Sequence, residues 1–490
     1  MANGTCATHC LFLALKYKHP EINTIYVPNN AYVAAWNSAL MTYEQSQLRV
    51  MKMDENTWNI DTDITTLQPN SAVLIVHNLG NIINVPKLAE QRPDLVFIED
   101  NCEGFTGKYS GMYAGTSNTT LCSSASFYGN KIITTGEGGV FMTQHTDIYE
   151  YINRVYSQGM SSTRYLHNVH AYNYRMTNIE AAFLYDQLLD LQSIITKKQD
   201  IFQRYRQMFS QLSNIKLFSI DESTTPANWI FAIRIPNNPN HIPETTEFFK
   251  QHSIDIRPFF YPINRHQHLS SLASDPIAET LNREVIMIPS SPSLTPKQQY
   301  QIVNTVIQYL LHIKDSTIHQ ITQKNKHEIY TNFLSQIQDP NFRYFQKRTE
   351  ECISQHTYSI VLQNNITNEY IGYAHIDQGW FGIYIKPAFQ NQGIGSLIVP
   401  YILNYCRQHD IKHLQLAVDK TNTRAIRLYA AVGFTPQGAS PPCNPPAGGF
   451  KLRLSCDEVT APLQPLDKEQ SYYVMDNPSL RGLHPPHTPI

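Results

Sequence analysis

The sequence predicts an α/β protein of more than one domain, built on mostly parallel sheets. From the start to about Leu310, short apolar runs alternate with helical patterns. Parallel strands need such alternation, because each crossover between them passes through a helix. The same pattern restarts after Lys314. The length of 490 residues also exceeds what one core organises, at roughly 150 residues per domain.

Taken in order, TIYVP (24–28), SAVLIVH (71–77) and DLVFIED (94–100) are unbroken apolar runs and read as strands buried on both faces. A long helix begins at Thr177: Thr177 and Glu180 have capping-box spacing, and Leu184, Leu188, Leu191 and Ile195 mark one apolar face. NWIFAIRI (228–235) is a strand that opens a smaller segment. Thr295 as cap, Pro296 in the first turn and Gln298 at the box position start a helix running to about Ile313. Beyond it we expect a helix near Lys324–Ile337, strands 358–362, 370–376 and 381–386, a helix near Gly395–His409 and a strand at 413–418. From Cys456 the chain is rich in Pro and polar residues without periodicity, which reads as a tail, poorly ordered or draped over a surface. The resulting division is 1–312, a linker 313–317, 318–455 and the tail 456–490.

Composition excludes several classes. At 42% hydrophobic residues the chain is not wholly disordered. Lys plus Arg number 38 against 40 for Asp plus Glu, so nothing draws the chain to phosphate backbones or anionic membranes. No apolar run approaches about 18 residues, and Cys10–Leu15 lacks the basic flank and cleavage site of a signal peptide. A soluble cytoplasmic protein with no nucleic-acid or membrane partner is expected. The eight cysteines lack framework spacing, which favours reduced thiols. Cys6, His9 and Cys10 share one helix face, but without a second ligand cluster they read as helix packing and no metal is expected.

Four strings in the front half carry chemistry together: GTCATH (4–9), FIEDNCEGF (97–105), SASFYGNKIITTGEGG (124–139) and YNYRMTN (172–178). A helix opening offers free N–H groups to an anion, and a carboxylate at a strand's C-terminal end sits where α/β folds bind ligands. At these residues the sequence resembles the DegT-type nucleotide-sugar aminotransferases, over about residues 1–312. The resemblance implies a fold type I aminotransferase, a mostly parallel sheet with a small C-terminal subdomain, that uses pyridoxal phosphate. Lys131 would hold the cofactor covalently and Asp100 would pair with its pyridine nitrogen. Glu103 would lie beside the phenolic oxygen, Tyr32 would stack on the ring, and Thr5 with Ser126 would bind the phosphate. Asn173 would reach a neighbouring subunit, implying a homodimer. Family members carry a further N-terminal segment before the motif that here begins at Ala2. Asn101, Cys102 and Asn264 also depart from the family pattern, which bears on substrate fit.

In the second half, FGIYIKPAFQNQGIGSLIVPYIL (381–403) sets a Gly-rich turn between a strand and a helix, aiming N–H groups and the helix dipole at a pyrophosphate. VDKTNTRAIRLYAAVGF (418–434) follows, and together they resemble the GNAT acetyltransferases over about 318–455, an α/β domain that uses acetyl-CoA. By that resemblance Gln390 opens the motif, the amides of Gln392, Gly393, Ile394, Gly395 and Ser396 cradle the coenzyme pyrophosphate, and Asn422 holds the pantetheine region. Tyr429 would protonate the departing thiolate. For the acceptor's base, His375 and Asp377 stand near the end of a central strand; a packed histidine and a solvated aspartate are the alternative reading. An aminotransferase makes an amine and a GNAT domain acylates one. The pairing implies amination of a 4-keto-6-deoxy sugar nucleotide by L-glutamate, then N-acetylation by acetyl-CoA, with a product feeding surface glycan synthesis. The alternative leaves the acetyltransferase alone active, the front half serving for dimerisation or sugar docking.

Overall fold

The computed structural model describes residues 1–339, 342, 344–419, 421–436 and 472–476. They form two compact units, Met1–Arg206 with Ile215–Leu294, and Gln207–Asn214 with the chain from Thr295 onward.

The first unit opens with helix α1 (Gly4–Lys18), capped by Asn3, whose side chain accepts from the Cys6 N–H. Its sheet comprises β1 (Ile25–Pro28), β2 (Leu48–Met51), β3 (Ala72–Val76), β4 (Val96–Asp100), β5 (Thr120–Ser126) and β6 (Gly139–Met142), in the order β2-β1-β3-β4-β5-β6. The pairs run parallel except β5–β6. Both faces are covered: Leu74 and Ile98 join the core containing α1, whereas Val73, Ile75 and Phe97 join the other. This is why the strands read as unbroken apolar runs. The register sets Val76 beside Asp100 and Asp100 beside Ser124, which gathers polar side chains at the C-terminal edge.

The capping box at Thr177 forms, but α2 (Asn178–Leu189) stops at Asp190 and a separate helix starts at Leu191. Asp190, a residue better suited to a cap than to a helix interior, ends the expected long helix. None of α2 is buried in the chain; Ile179, Phe183 and Leu189 are 72%, 60% and 69% exposed. A small antiparallel sheet, β7 (Phe231–Arg234), β8 (Arg257–Pro258) and β9 (Val285–Ile288), completes the unit in the order β7-β9-β8.

In the second unit, α3 (Pro296–His312) has the expected Thr295–Gln298 capping box. The sheet comprises β10 (Ser316–Gln320), β11 (Tyr358–Asn364), β12 (Tyr370–Asp377), β13 (Trp380–Ile385), β14 (Gln415–Asp419), β15 (Thr435–Pro436) and β16 (Tyr472–Asp476). Its order is β10-β11-β12-β13-β14-β16-β15. Helix α4 (Ile394–Gln408) follows β13 and α5 (Thr423–Ala431) follows β14. Buried Asn304 and Asn404 join α3 to α4, Asn404 donating to Asn304 Oδ1 at 3.1 Å.

Three expectations are corrected. β10 begins inside the span read as a linker. The helix near 324–337 is shorter, Lys326–Asn332 with a 3-10 turn at Leu334–Gln336. The span read as a tail supplies β16, because Tyr-Tyr-Val-Met is strand-forming and fills the antiparallel gap between β14 and β15. The rest of 437–471 and 477–490 lies outside the described residues.

Candidate functional site

The first constellation assembles at the C-terminal edge of the parallel sheet. Asp100 ends β4, is 6% exposed, and accepts the Cys102 N–H at 3.0 Å. Glu103 is buried and accepts the Leu79 N–H at 2.8 Å. Burial pushes its pKa up to about 7; Lys131 and the Leu79 N–H oppose the shift and Asp100 adds to it. The Cys102 thiol is pushed up by burial and then by Asp100, with Lys131 pulling it down. Lys131, half-buried, thus shares its field with both groups, and its ammonium lies 4.0 Å from the centroid of the Trp229 ring.

The opening of α1 lies against the end of β5. A Cβ on Gly4 would fall 2.7 Å from Ser126 Cβ and 2.8 Å from its Oγ, so only glycine allows this approach. The opening of α1 thereby lies beside Ser126, with Thr5 exposed on it. That cradle suits a phosphate, and an acid, a second carboxyl and a lysine around one edge suit a pyridine ring bearing a phenol and an aldehyde. The residues present fit pyridoxal phosphate.

Tyr32 is 62% exposed and meets Phe260 edge-on at 6.3 Å. Asn173 is exposed and its strand bridges to Ser157. Asn264 is the middle residue of a 3-10 turn, Ile263–Arg265. Beneath Asp100 lies a fully buried group that the sequence did not announce. The tautomer that lets His77 Nδ1 accept the Ile83 N–H leaves Nε2 to donate to Glu99 at 2.9 Å; Tyr109 and Thr120 donate to the same carboxylate. His9 is buried and bonds Tyr174 at 3.0 Å through Nδ1. Among the described residues, no group of three or more His, Cys, Asp or Glu is placed to hold a metal, and no helix is long and apolar enough to cross a membrane.

The second site is a cavity of about 600 Å³ between β13 and β14. The two parallel strands pair only at Trp380–Gln415 and then part, opening the sheet. Gly393 caps α4 in the left-handed region, φ 78°, and Asn391 has φ 65°. Gln390, Gly393, Ile394, Gly395, Ser396, Asn422 and Tyr429 line the cavity. Gln392 does not; its side chain donates to the Ala388 carbonyl. Asn422 caps α5 through the Ala425 N–H at 3.1 Å. Tyr429 is buried edge-on to Phe381, and burial raises its phenol pKa.

His375 is 2% exposed and does not line the cavity; its ring covers the α-carbon of Gly382, where a Cβ would fall 2.2 Å from Cε1. Asp377 accepts Tyr344 Oη–H at 2.7 Å, and the same oxygen meets His356 Nε2 at 2.7 Å. His375 packs against Phe342 and Tyr344, Asp377 bonds Tyr344, and Asp339 and Phe342 do line the cavity.

The sequence model of the DegT/DnrJ/EryC1/StrS aminotransferase family matches residues 1–307, and that of the GNAT acetyltransferase family matches 323–434. The chain is 32% identical over 316 residues to a GDP-perosamine synthase of Escherichia coli O157:H7, covering 63% of this chain and 84% of the relative. It is 30% identical over 323 residues to the GDP-perosamine synthase of Vibrio cholerae, covering 63% and 85%. Among solved structures, Helicobacter pylori PseC, an aminotransferase involved in the biosynthesis of pseudoaminic acid, superposes with a TM-score of 0.57 at 20% identity, over 63% of this chain and 85% of that one.

Proposed function

Because the chain belongs to the DegT/DnrJ/EryC1/StrS aminotransferase family, whose enzymes use pyridoxal phosphate, and carries a GNAT domain, whose enzymes use acetyl-CoA, we propose a bifunctional nucleotide-sugar enzyme. Its front half transfers the amino group of L-glutamate to a 4-keto-6-deoxy sugar nucleotide, and its GNAT domain acetylates the new amine. The observation that supports this best is the meeting of Lys131, Asp100 and Glu103 beside the opening of α1, in a chain similar to GDP-perosamine synthases.

When bound, the cofactor supplies an electron sink for the amine transfer. Asp100, fixed by the Cys102 N–H, holds the pyridine nitrogen protonated. Lys131 holds the cofactor and carries a proton to and from the donor and sugar carbons. Glu103, with its pKa at about 7, shares a proton with the phenolic oxygen. Thr5, Ser126 and the free N–H groups of α1 take the phosphate, and exposed Tyr32 covers the ring. Asn173 serves a neighbouring subunit, and the exposed apolar side chains of α2 support a homodimer.

In the GNAT domain, the amides of Gln392–Ser396, opened by Gln390, take the coenzyme pyrophosphate, and Asn422 holds the pantetheine. Tyr429, kept protonated by burial, gives its proton to the departing thiolate. The enzyme works in the cytoplasm and its product feeds surface glycan synthesis.

The test is the visible spectrum of the protein with added pyridoxal phosphate, before and after L-glutamate, beside Lys131→Ala. A band of bound cofactor that glutamate abolishes, and that the variant lacks, is expected. A flat spectrum overturns the front-half assignment and leaves the acetyltransferase alone. Supplying the keto sugar nucleotide, glutamate and acetyl-CoA together should give an acetylated sugar only when glutamate is present.

A further inference from the structure

Trp229 occupies a position that no motif announced. Its main chain is fixed at three points. Asn228 before it is left-handed, φ 58°. Gly80 presses so close that a Cβ there would fall 3.2 Å from the Trp229 nitrogen. Lys198, 4% exposed, donates to the Trp229 and Ser290 carbonyls at 2.6 Å each. The side chain then turns to the loop that bears the lysine. Nε1–H donates to the Asn130 carbonyl at 2.8 Å, and the ring face receives the Lys131 ammonium at 4.0 Å from its centroid. Among the described residues, the ammonium is met by this aromatic face and by no ion pair.

We propose that Trp229 is a positioning residue for Lys131. Its N–H fixes the Asn130–Lys131 turn, and its face holds the lysine amine at the site's edge, off the two nearby carboxyl groups. An ammonium on an indole face is held by the ring quadrupole, more strongly where water is excluded, and Trp229 is 7% exposed. A Cβ on Gly80 would also fall 3.0 Å from the Glu103 carbonyl, so the Trp229 main chain and the loop supporting Glu103 close on the same glycine. The inference rests on reading Lys131 as the cofactor lysine.

The test compares Trp229→Phe, which keeps an aromatic face and loses the N–H, with Trp229→Leu, which loses both. The first readout is the rate at which an amine-acylating reagent labels Lys131 in the full chain without cofactor, followed by peptide mass. Trp229→Leu should label roughly fivefold faster, the size of a partly desolvated cation–π contact, and Trp229→Phe within about twofold of the parent. Lys198 should label equally slowly in all three, marking an intact fold. Equal Lys131 rates in the parent and Trp229→Leu, or Phe behaving as Leu, would overturn the proposal. Should Trp229→Leu not fold, Lys131→Met decides: it should change an indole emission component that Trp229→Phe removes, and no change overturns the idea. Borohydride reduction with pyridoxal phosphate reports the underlying reading separately. Cofactor fixed on another lysine, or on none, sinks that reading whatever the labelling shows.

Discussion

Glu103 is a carboxyl whose burial leaves its proton in play near neutrality. Its folded pKa of about 7 stands above the ordinary 4.5, so the stabilisation tied to its protonated form is complete below pH 4.5 and is lost as the pH rises through 7. Glu103→Gln, which still accepts the Leu79 N–H, should therefore match the parent in unfolding free energy from urea titration near pH 4 and exceed it at pH 8, by up to about 3 kcal/mol, with a higher midpoint there. Equal midpoints at pH 8 would count against a buried, raised carboxyl. Gly4→Ala puts a methyl into Ser126 and should weaken binding of added pyridoxal phosphate at least roughly tenfold, read by titrating the visible band. At this scale, Lys131 and Asp100 could be singled out only through the resemblance carried by four ordered strings, because a lone lysine or a strand-end aspartate is ordinary in sequence. Trp229 could not be singled out. An aromatic ahead of a strand is ordinary in sequence, and only the folded chain sets its face on a lysine 98 positions away.

A glycine stands at the helix opening of each proposed anion site, Gly4 for its close approach to Ser126 and Gly393 for its backbone conformation. Gly393 takes φ 78° as the cap of α4. Alanine there costs about 1–2 kcal/mol of strain and should raise KM for acetyl-CoA several-fold, while the glutamate response of the visible band stays unchanged. A changed glutamate response would show that the substitution disturbs more than its own domain. Tyr344 ties the segment carrying Asp339 and Phe342 to Asp377 and His356. Tyr344→Phe removes that tie and should raise KM for the amine acceptor more than for acetyl-CoA, in initial-rate measurements with each varied. Most strands and both capping boxes could be read from the sequence, since apolar runs and cap chemistry are local. The break at Asp190, the short helix at 326 and the strand at 472 could not, because each is settled by what packs beside it.

For the whole molecule, Ile179, Phe183, Tyr185, Leu188 and Leu189 leave exposed apolar side chains around α2, none of which is buried in the chain. If α2 carries the proposed homodimer contact, Phe183→Asp combined with Leu189→Asp should lower the sedimentation coefficient to that of a monomer; an unchanged coefficient would mean that α2 is not the contact. Sequence alone sufficed for the class of the protein: two α/β units in tandem, with an aminotransferase pattern before a GNAT pattern. Those are matters of periodicity and of short contiguous strings. Tertiary structure alone decided that β13 and β14 part to open the cavity, that His375 lies over Gly382 and away from the cavity lining, and that Trp229 meets Lys131. Each of these joins residues distant in the chain, and such distances are set by packing that no local pattern encodes.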